Sequence, residues 1–576
     1  PAVALGLVAA PDVGSWRFAH DRVHEAARAL LDDAARRPVH RVLARALSDA
    51  PEADPRLFDA AEHYAAAGDE VTDVAERARA ATLCLAAGQR ARDAGAFDVA
   101  RTHLQAGLDF AAPEAWRDDY ALMRDLHVGL AEVAAAAGDS GAAFDLGRAV
   151  LDHAATVLDR VRIHELRIDL YEARLEHGAA IDEALEVLEL LGVSVDVPPD
   201  EATLMGRVQA MVGRLFAVGP EALAELPEAT DPQVRAASRI LNSLYSTTNI
   251  GRPTMLVPVL LRALELVLDH GLTPHAVAGF TQLGAVLCSV GAFEPGYVFG
   301  VLGERLRDRW PPTGAATVVQ VQFPAFVQHW KEPVRAVVDA LERAAAASLE
   351  QGNPASYGFC ANQLLVHQVL SGSPLPACDA RYENLAPRMR QAQQHATLAI
   401  VEAWGQLVAC LRGEADDPAA LSGARCDYDA FMARFEEADL FLGLGLINAA
   451  QVVLAGIMRD TDRVLRLADL GPREPLFLVP PTSAFFMMGV RGWYRALAHL
   501  DRCRGAEADP VGAVAATEAD HGRLKAWTAQ APHNHAHRVT LLEAEIARVQ
   551  GHCGEATRAY EQAANEARAN GFVQDE

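Results

Sequence analysis

Apolar residues recur every three or four positions along most of this chain, and glycine or proline interrupts the pattern at intervals. Between 21 and 31, Val23, Ala26, Ala27, Leu30 and Leu31 share one helical face. Between about 38 and 48, Val39, Val42, Leu43, Ala46 and Leu47 do the same. In VTLLEAEIARV the stripe is Leu542, Ile546 and Val549. Ahead of the first helix, Leu5 and Leu7, then Trp16 and Phe18, alternate around the turn-like DVGS, which predicts a short β-hairpin. The longest uncharged run, LFLGLGLINAAQVVLAGIM at 440–458, has the length to span a bilayer. Its Asn448, Gln451 and three glycines predict instead a buried helix in a helical array.

From residue 56 a phrase repeats. A helix ends in Gly, a small residue follows five positions later, and further small or apolar residues follow on the same face. GAFDVARTHLQAG supplies Gly95, Ala100, Leu104 and Gly107. GDSGAAFDLGRAV supplies Gly138, Ala143, Gly147 and Val150. GAFEPGYVFGVLG supplies Gly291, Gly296, Gly300 and Gly303, and GHCGEATRAYEQA supplies Gly551, Ala556, Tyr560 and Ala563. GAAIDEALEVLELL, from Gly178, fits with one extra residue. Gly permits the left-handed turn that ends the first helix of a hairpin. The small residue lets the second helix cross it closely. Gly95, Gly138 and Gly178 are 43 and 40 residues apart. A two-helix unit of that length cannot bury its own face, so it stacks on neighbours. The phrases resemble a degenerate tetratricopeptide repeat in which the usual Trp and Pro are mostly missing. The expected fold is therefore all-α, a tetratricopeptide-like α-solenoid of stacked helical hairpins. The expected blocks are 48–191, then a linker with a helix at 192–232 that opens on GVSVDVPPDE, then 233–576. PPT at 311–313 and PREP at 472–475 mark longer loops.

Composition agrees with helices. The chain is 51% hydrophobic and 6% aromatic, and its apolar content is mostly Ala, Leu and Val. A formal charge of −25, without a dense Arg run, would repel a phosphate backbone, so nucleic acid is not an expected partner. The eight cysteines form no C-x-x-C pair, which fits a reducing cytosol and implies neither zinc nor disulfides. No basic n-region precedes the apolar start, so a signal peptide is not expected. The chain starts at Pro1 and stops at Glu576 within a helical pattern, and is expected to be a piece of a longer polypeptide.

Catalytic motifs are missing: there is no phosphate loop, no H-R-D or D-F-G, no H-E-x-x-H and no G-x-S-x-G. No catalytic residue is expected. PHNHAHR places His533, His535 and His537 at alternate positions, with His521 upstream. On a strand these would share a face and could bind a metal. The helical pattern that follows predicts a loop and helix start instead, with Asn534 as N-cap and no metal. His20, next to Asp21, opens the first helix and can cap it or fill a core.

Taken together, RFAHDRVHEAARALL, LPEATDPQVRAASRILNSL, LVLDHGLTPHAVAGFTQLGAVLCSVGAFEPGYVFG, HWKEPV and VTLLEAEIARVQGHCGEATRAYEQAANEARANGFVQDE resemble the central region of large bacterial signalling proteins. In that family a serine/threonine kinase domain is followed by a STAND-type ATPase and a long tetratricopeptide-like region. A GAF domain and a sensor histidine kinase often come after. The resemblance covers nearly the whole chain in the same order. It implies that residues 1–47 are the C-terminal part of the ATPase winged-helix region, with GLVAAPDVGSWRF as the wing. In STAND ATPases a His in a Met-His-Asp-like motif contacts the ADP phosphate. His20 falls at that place, with Ala19 where Met is usual, so the resemblance implies a nucleotide-phosphate sensor. It also implies ATP or ADP with Mg²⁺ in the parent's ATPase and kinase domains and no cofactor held by this segment itself. The implied partners are the flanking ATPase, kinase and GAF modules, with a peptide, protein or small ligand on the concave face. In PHNHAHR the family shows Asn-aromatic-x-His-basic; Asn534, His537 and Arg538 fit and His535 departs, which implies a structural segment. The expected function is a non-catalytic, cytoplasmic sensor and relay. The alternatives are the solenoid of a STAND-type transcription regulator and a metal-dependent hydrolase built on the His cluster.

Overall fold

Several helices begin where the sequence supplies a short side chain that can accept from the first turn. Asp32, Asp73, Asp139, Asp200, Asp231, Asn353 and Asp509 each accept a backbone N–H two or three residues on, and Thr156 forms a full capping box with Asp159. A computed structural model describes residues 5, 7–9, 17–48, 56–111, 115–174, 176–198, 200–310, 314–437, 441–468, 485–504 and 509–576. The fold is all-α, with helices in stacked pairs, and it divides into two compact units, 1–190 and 191–576.

The first unit opens on strands β1 (Val8–Ala9) and β2 (Arg17–Phe18), antiparallel with Val8 opposite Phe18. The DVGS turn lies outside the described residues. Then come α1 (Asp21–Ala29), α2 (Asp33–Leu47), α3 (Arg56–Ala67), α4 (Val74–Asp93), α5 (Phe97–Phe110), the short α6 (Ala115–Asp118), α7 (Tyr120–Ala136), α8 (Ser140–His153), α9 (Val157–Ala173) and α10 (His177–Leu190). Helix α2 starts five residues before the expected place, because Asp32 caps it, and it carries Pro38 in its interior. Consecutive helices pair as α2/α3, α4/α5, α7/α8 and α9/α10. Gly95 (φ +75°) and Gly138 (φ +80°) make the expected left-handed turns. Gly178 does not; it is the second residue of α10.

The second unit holds α11 (Glu201–Val218), α12 (Pro220–Ala224), α13 (Pro232–Gly251), α14 (Leu256–His270), α15 (Val277–Ser289), α16 (Phe293–Arg307), α17 (Gly314–Gln322), α18 (Val334–Glu350), α19 (Pro354–Leu370), α20 (Leu375–Gln391) and α21 (His395–Leu411). It ends with α22 (Tyr428–Glu437), α23 (Phe441–Ile457), α24 (Thr461–Ala468), α25 (Phe486–Asp501), α26 (Pro510–Thr528), α27 (Pro532–Val549) and α28 (Cys553–Asn570). PPT and PREP lie outside the described residues. The uncharged run forms α23, where buried Asn448 donates to the Leu467 carbonyl (3.0 Å) and buried Gln451 accepts from the Leu421 amide (3.2 Å). Among the described residues no helix is long and apolar enough to cross a membrane.

Two of the quoted phrases meet here. The Leu272 amide donates to the Pro227 carbonyl (2.9 Å) and the Ala229 amide to the Leu272 carbonyl (2.8 Å). Gly271 is needed at this crossing: its φ is +100°, and a Cβ would lie 2.3 Å from the Pro227 carbonyl oxygen. Between α17 and α18, Pro324 has no amide proton to donate, and the chain widens into a π turn, Phe323–Val327, then a tighter 3₁₀ turn, Gln328–Trp330.

The second unit adds one feature to the expected stack. In a one-dimensional stack each hairpin touches only its neighbours. In the second unit α19 also packs against α25, and one continuous core runs from Ala285 to Phe572. The late hairpins return to the early ones.

Candidate functional site

The return is built by the His-rich segment. PHNHAHR is neither a loop nor the cap of its own helix; all of it belongs to α27, whose first residue is Pro532. Asn534 serves a different helix. Its Oδ1 accepts from the Val334 amide at the start of α18 (3.0 Å), and its Nδ2 donates to the carbonyls of His329 (2.8 Å) and Glu332 (2.9 Å). The phrase HWKEPV is thus held by a side chain 200 residues later. Lys331 adds a bond to Gln530 (2.7 Å).

Four residues on, Arg538 is buried. Its Nε (3.0 Å) and Nη2 (2.8 Å) donate to Asp575, and its guanidinium lies 5.0–5.6 Å from the ring centres of Phe486, Trp493 and Phe572. His537 Nε2 is 2.9 Å from the same carboxylate. Burial pushes the Asp575 carboxyl up, but Arg538 and His537 together hold it below the usual range. Burial outweighs Asp575 at His537 and lowers that imidazole.

His535 faces another way, because alternate helical positions are turned about 200° apart. Its ring packs among Trp330, Phe486 and Trp527, with centroids 5.5–6.2 Å away, and neither ring nitrogen has a hydrogen-bond partner. Burial, then the nearby Arg538, drives its affinity for a proton far down. His367, on α19, donates from Nδ1 to the Gln363 carbonyl (2.8 Å) and is pushed down to about 4 by burial. His521 pairs instead with Glu543 at 3.6 Å. Among the described residues no group of three or more His, Cys, Asp or Glu is arranged to hold a metal.

His20 lies on the surface just before α1; its carbonyl accepts the Val23 amide (2.9 Å), and Asp21 occupies the first turn.

A groove of about 380 Å³ in the first unit is the candidate binding surface. Its walls come from α4, α7 and α9, the first helices of three successive hairpins. Arg92 pairs with Glu132 (2.6 Å), which also pairs with Arg162; Arg124 pairs with Asp125 (2.8 Å) and Asp159 (3.0 Å). Three arginines thus face three carboxylates. Asp159 stays below the usual carboxylate range although burial opposes it, because Thr156 and Arg124 bond to it. Such a lattice can exchange its internal pairs for those of a polar or charged segment laid across it. Sequence reasoning singled out none of these residues. The signal present was charge at helical spacing on the hairpins' first helices, as in Arg124, Asp125, Val128 and Glu132.

No family model matches the chain. The chain is similar to the hybrid signal transduction histidine kinase G of Dictyostelium discoideum, 19% identical over 349 residues, which is 55% of this chain and 10% of that protein. The chain therefore spans about a tenth of the length of this relative.

Proposed function

We propose that this segment is the non-catalytic sensor and relay arm of a multidomain signalling ATPase-kinase. On this reading, a ligand or partner bound to the helical array biases the nucleotide state and kinase output of the parent. The observation that carries the proposal is the charge-balanced groove shared by three consecutive hairpins. Because α4, α7 and α9 each contribute to it, a bound segment would favour one spacing of the hairpins over another, which is the differential affinity a relay requires. The distant likeness to a hybrid histidine kinase supports a signalling context.

The exposed apolar side chains of the N-terminal helices support a neighbouring module there. Leu30 is 84% exposed and Val42 65%. His20, also exposed, would then reach the nucleotide phosphate of the adjoining ATPase, ATP or ADP with Mg²⁺, as a charge-assisted donor. In the full-length parent, deleting residues 56–576, or combining Arg124→Ala with Glu132→Ala, is expected to change autophosphorylation or its response to stimulus. Output and response identical to the unmodified parent in both variants would overturn the proposal. His20→Ala is expected to weaken ADP retention by the parent, measured by equilibrium dialysis.

A further inference from the structure

A second groove, in the second unit, differs from the first in its charge balance. It has a volume of about 420 Å³, within the roughly 300–1,000 Å³ typical of small-molecule sites. Helix α11 offers Leu204, Arg207, Met211 and Arg214 on one face, and α14 offers Pro258, Leu261, Arg262 and Glu265 on the face opposite. The loop with Ser194, Asp196 and Pro198 closes one side.

In the first unit's groove every arginine is ion-paired. Here the cations are under-compensated. Arg207 donates to the backbone carbonyl of Asp196 (3.2 Å), and no described carboxylate lies within ion-pair distance of it. Arg214 has only a long pair to Asp269, at 3.7 Å. Arg262 pairs through Nη1 with Glu265 (2.8 Å), while its Nε is buried without a partner. A buried donor left unpaired is costly unless something fills the place. In a chain of formal charge −25, three arginines around one cavity with open donors are a local exception. Their planar forks match an oxyanion. Beside them the buried Met211, Pro258 and Leu261 and the partly buried Leu204 add apolar side chains to the lining.

We infer that this groove binds a small amphiphilic anion, an oxyanion head on an apolar body. Arg207 and Arg262 hold the head, and Leu204, Met211, Pro258 and Leu261 receive the body. The site shares no residue with the groove argued to take a partner segment, so the two readings fail independently.

Isothermal titration of the full chain with decanoate, with decanol and with inorganic phosphate tests this. Decanoate is expected to bind saturably at one site, at least tenfold tighter than either decanol or phosphate. Arg207→Gln and Arg262→Gln are each expected to weaken it tenfold or more, and Ala210→Trp, an exposed position on the groove wall, to abolish it. Circular dichroism would establish that these variants remain folded. No saturable decanoate binding, binding no tighter than that of decanol, or binding indifferent to all three substitutions would overturn the inference. Phosphate binding as tightly as decanoate would overturn the amphiphile as the ligand.

Discussion

Asn534→Ala removes the side chain that ties α27 to the turn before α18. Three bonds vanish together: one acceptor for the Val334 amide, and two donations, to His329 and Glu332. Asn534 is 1% exposed, so water replaces it poorly. A buried polar group left unpaired costs about 1–3 kcal/mol, and the Ala-sized gap admits at most partial rescue by water, so the expected loss is about 3–5 kcal/mol. Urea unfolding of the full chain, followed by tryptophan fluorescence, reads it directly, because five of the seven tryptophans belong to the second unit. Hydrogen exchange localises it. The Val334 amide should lose protection, although it lies 200 residues from the substitution. Asn534→Asp should be no milder, since a carboxylate in place of the amide would face two carbonyl oxygens with no proton to offer. A loss below about 1 kcal/mol with the Val334 amide still protected would refute the closing contact.

Removing Arg538 as Arg538→Ala leaves Asp575 buried without its main counter-charge, with an expected cost of about 3–5 kcal/mol on the same urea transition. Gly271→Ala must adopt a φ of +100° and push a methyl group against the Pro227 carbonyl; a loss of more than about 1 kcal/mol is expected, measured by thermal melting. Acid should destabilise the second unit in two steps. His367 and His535 have folded affinities for protons below their unfolded ones, so the unfolded chain takes up protons first as pH falls below about 6.5, and stability drops by up to ~1.4 kcal/mol per pH unit per residue. For His367 this runs down to about pH 4. Asp575, held below its unfolded value, contributes stability above the usual carboxylate range and loses it only as pH falls through its lower folded value. His535→Phe should flatten the first step in urea titrations at several pH values; an unchanged slope would count against the neutral buried ring.

Local features of the fold were legible because their causes are local. A glycine that must turn left-handed has no substitute of equal ease, and Gly95, Gly138, Gly291 and Gly551 all have positive φ. The buried nature of the uncharged run was legible from Asn448 and Gln451, which a membrane would leave costly and a protein core can bond. Gly178 misled because the first turn of a helix tolerates glycine too, and periodicity does not distinguish a turn glycine from one at a helix start. Asn534 misled for a related reason. A cap-forming side chain near a helix start reads as that helix's own cap, yet nothing in the local sequence says which amide it will meet.

That ambiguity explains why the closing of the second unit was not legible. A hairpin stack is specified by apolar stripes, and stripes alone permit many registers between surfaces 200 residues apart. The structure places Asn534 at that meeting, while the Arg538–Asp575 pair pins the last hairpin that carries it. A slip by one helical turn would move Asn534 about 5.4 Å and leave it, the Val334 amide and two carbonyls unpaired together. Buried polar groups cost stability but can select one arrangement among several. If that is their role here, replacing Arg538, His537 and Asp575 jointly by apolar residues should keep or raise the midpoint of urea unfolding. The same replacement should broaden the exchange of the α18 and α27 amides, since apolar packing alone would hold the contact without fixing it. A triple variant that is both less stable and equally well ordered would show that the cluster serves stability and not register.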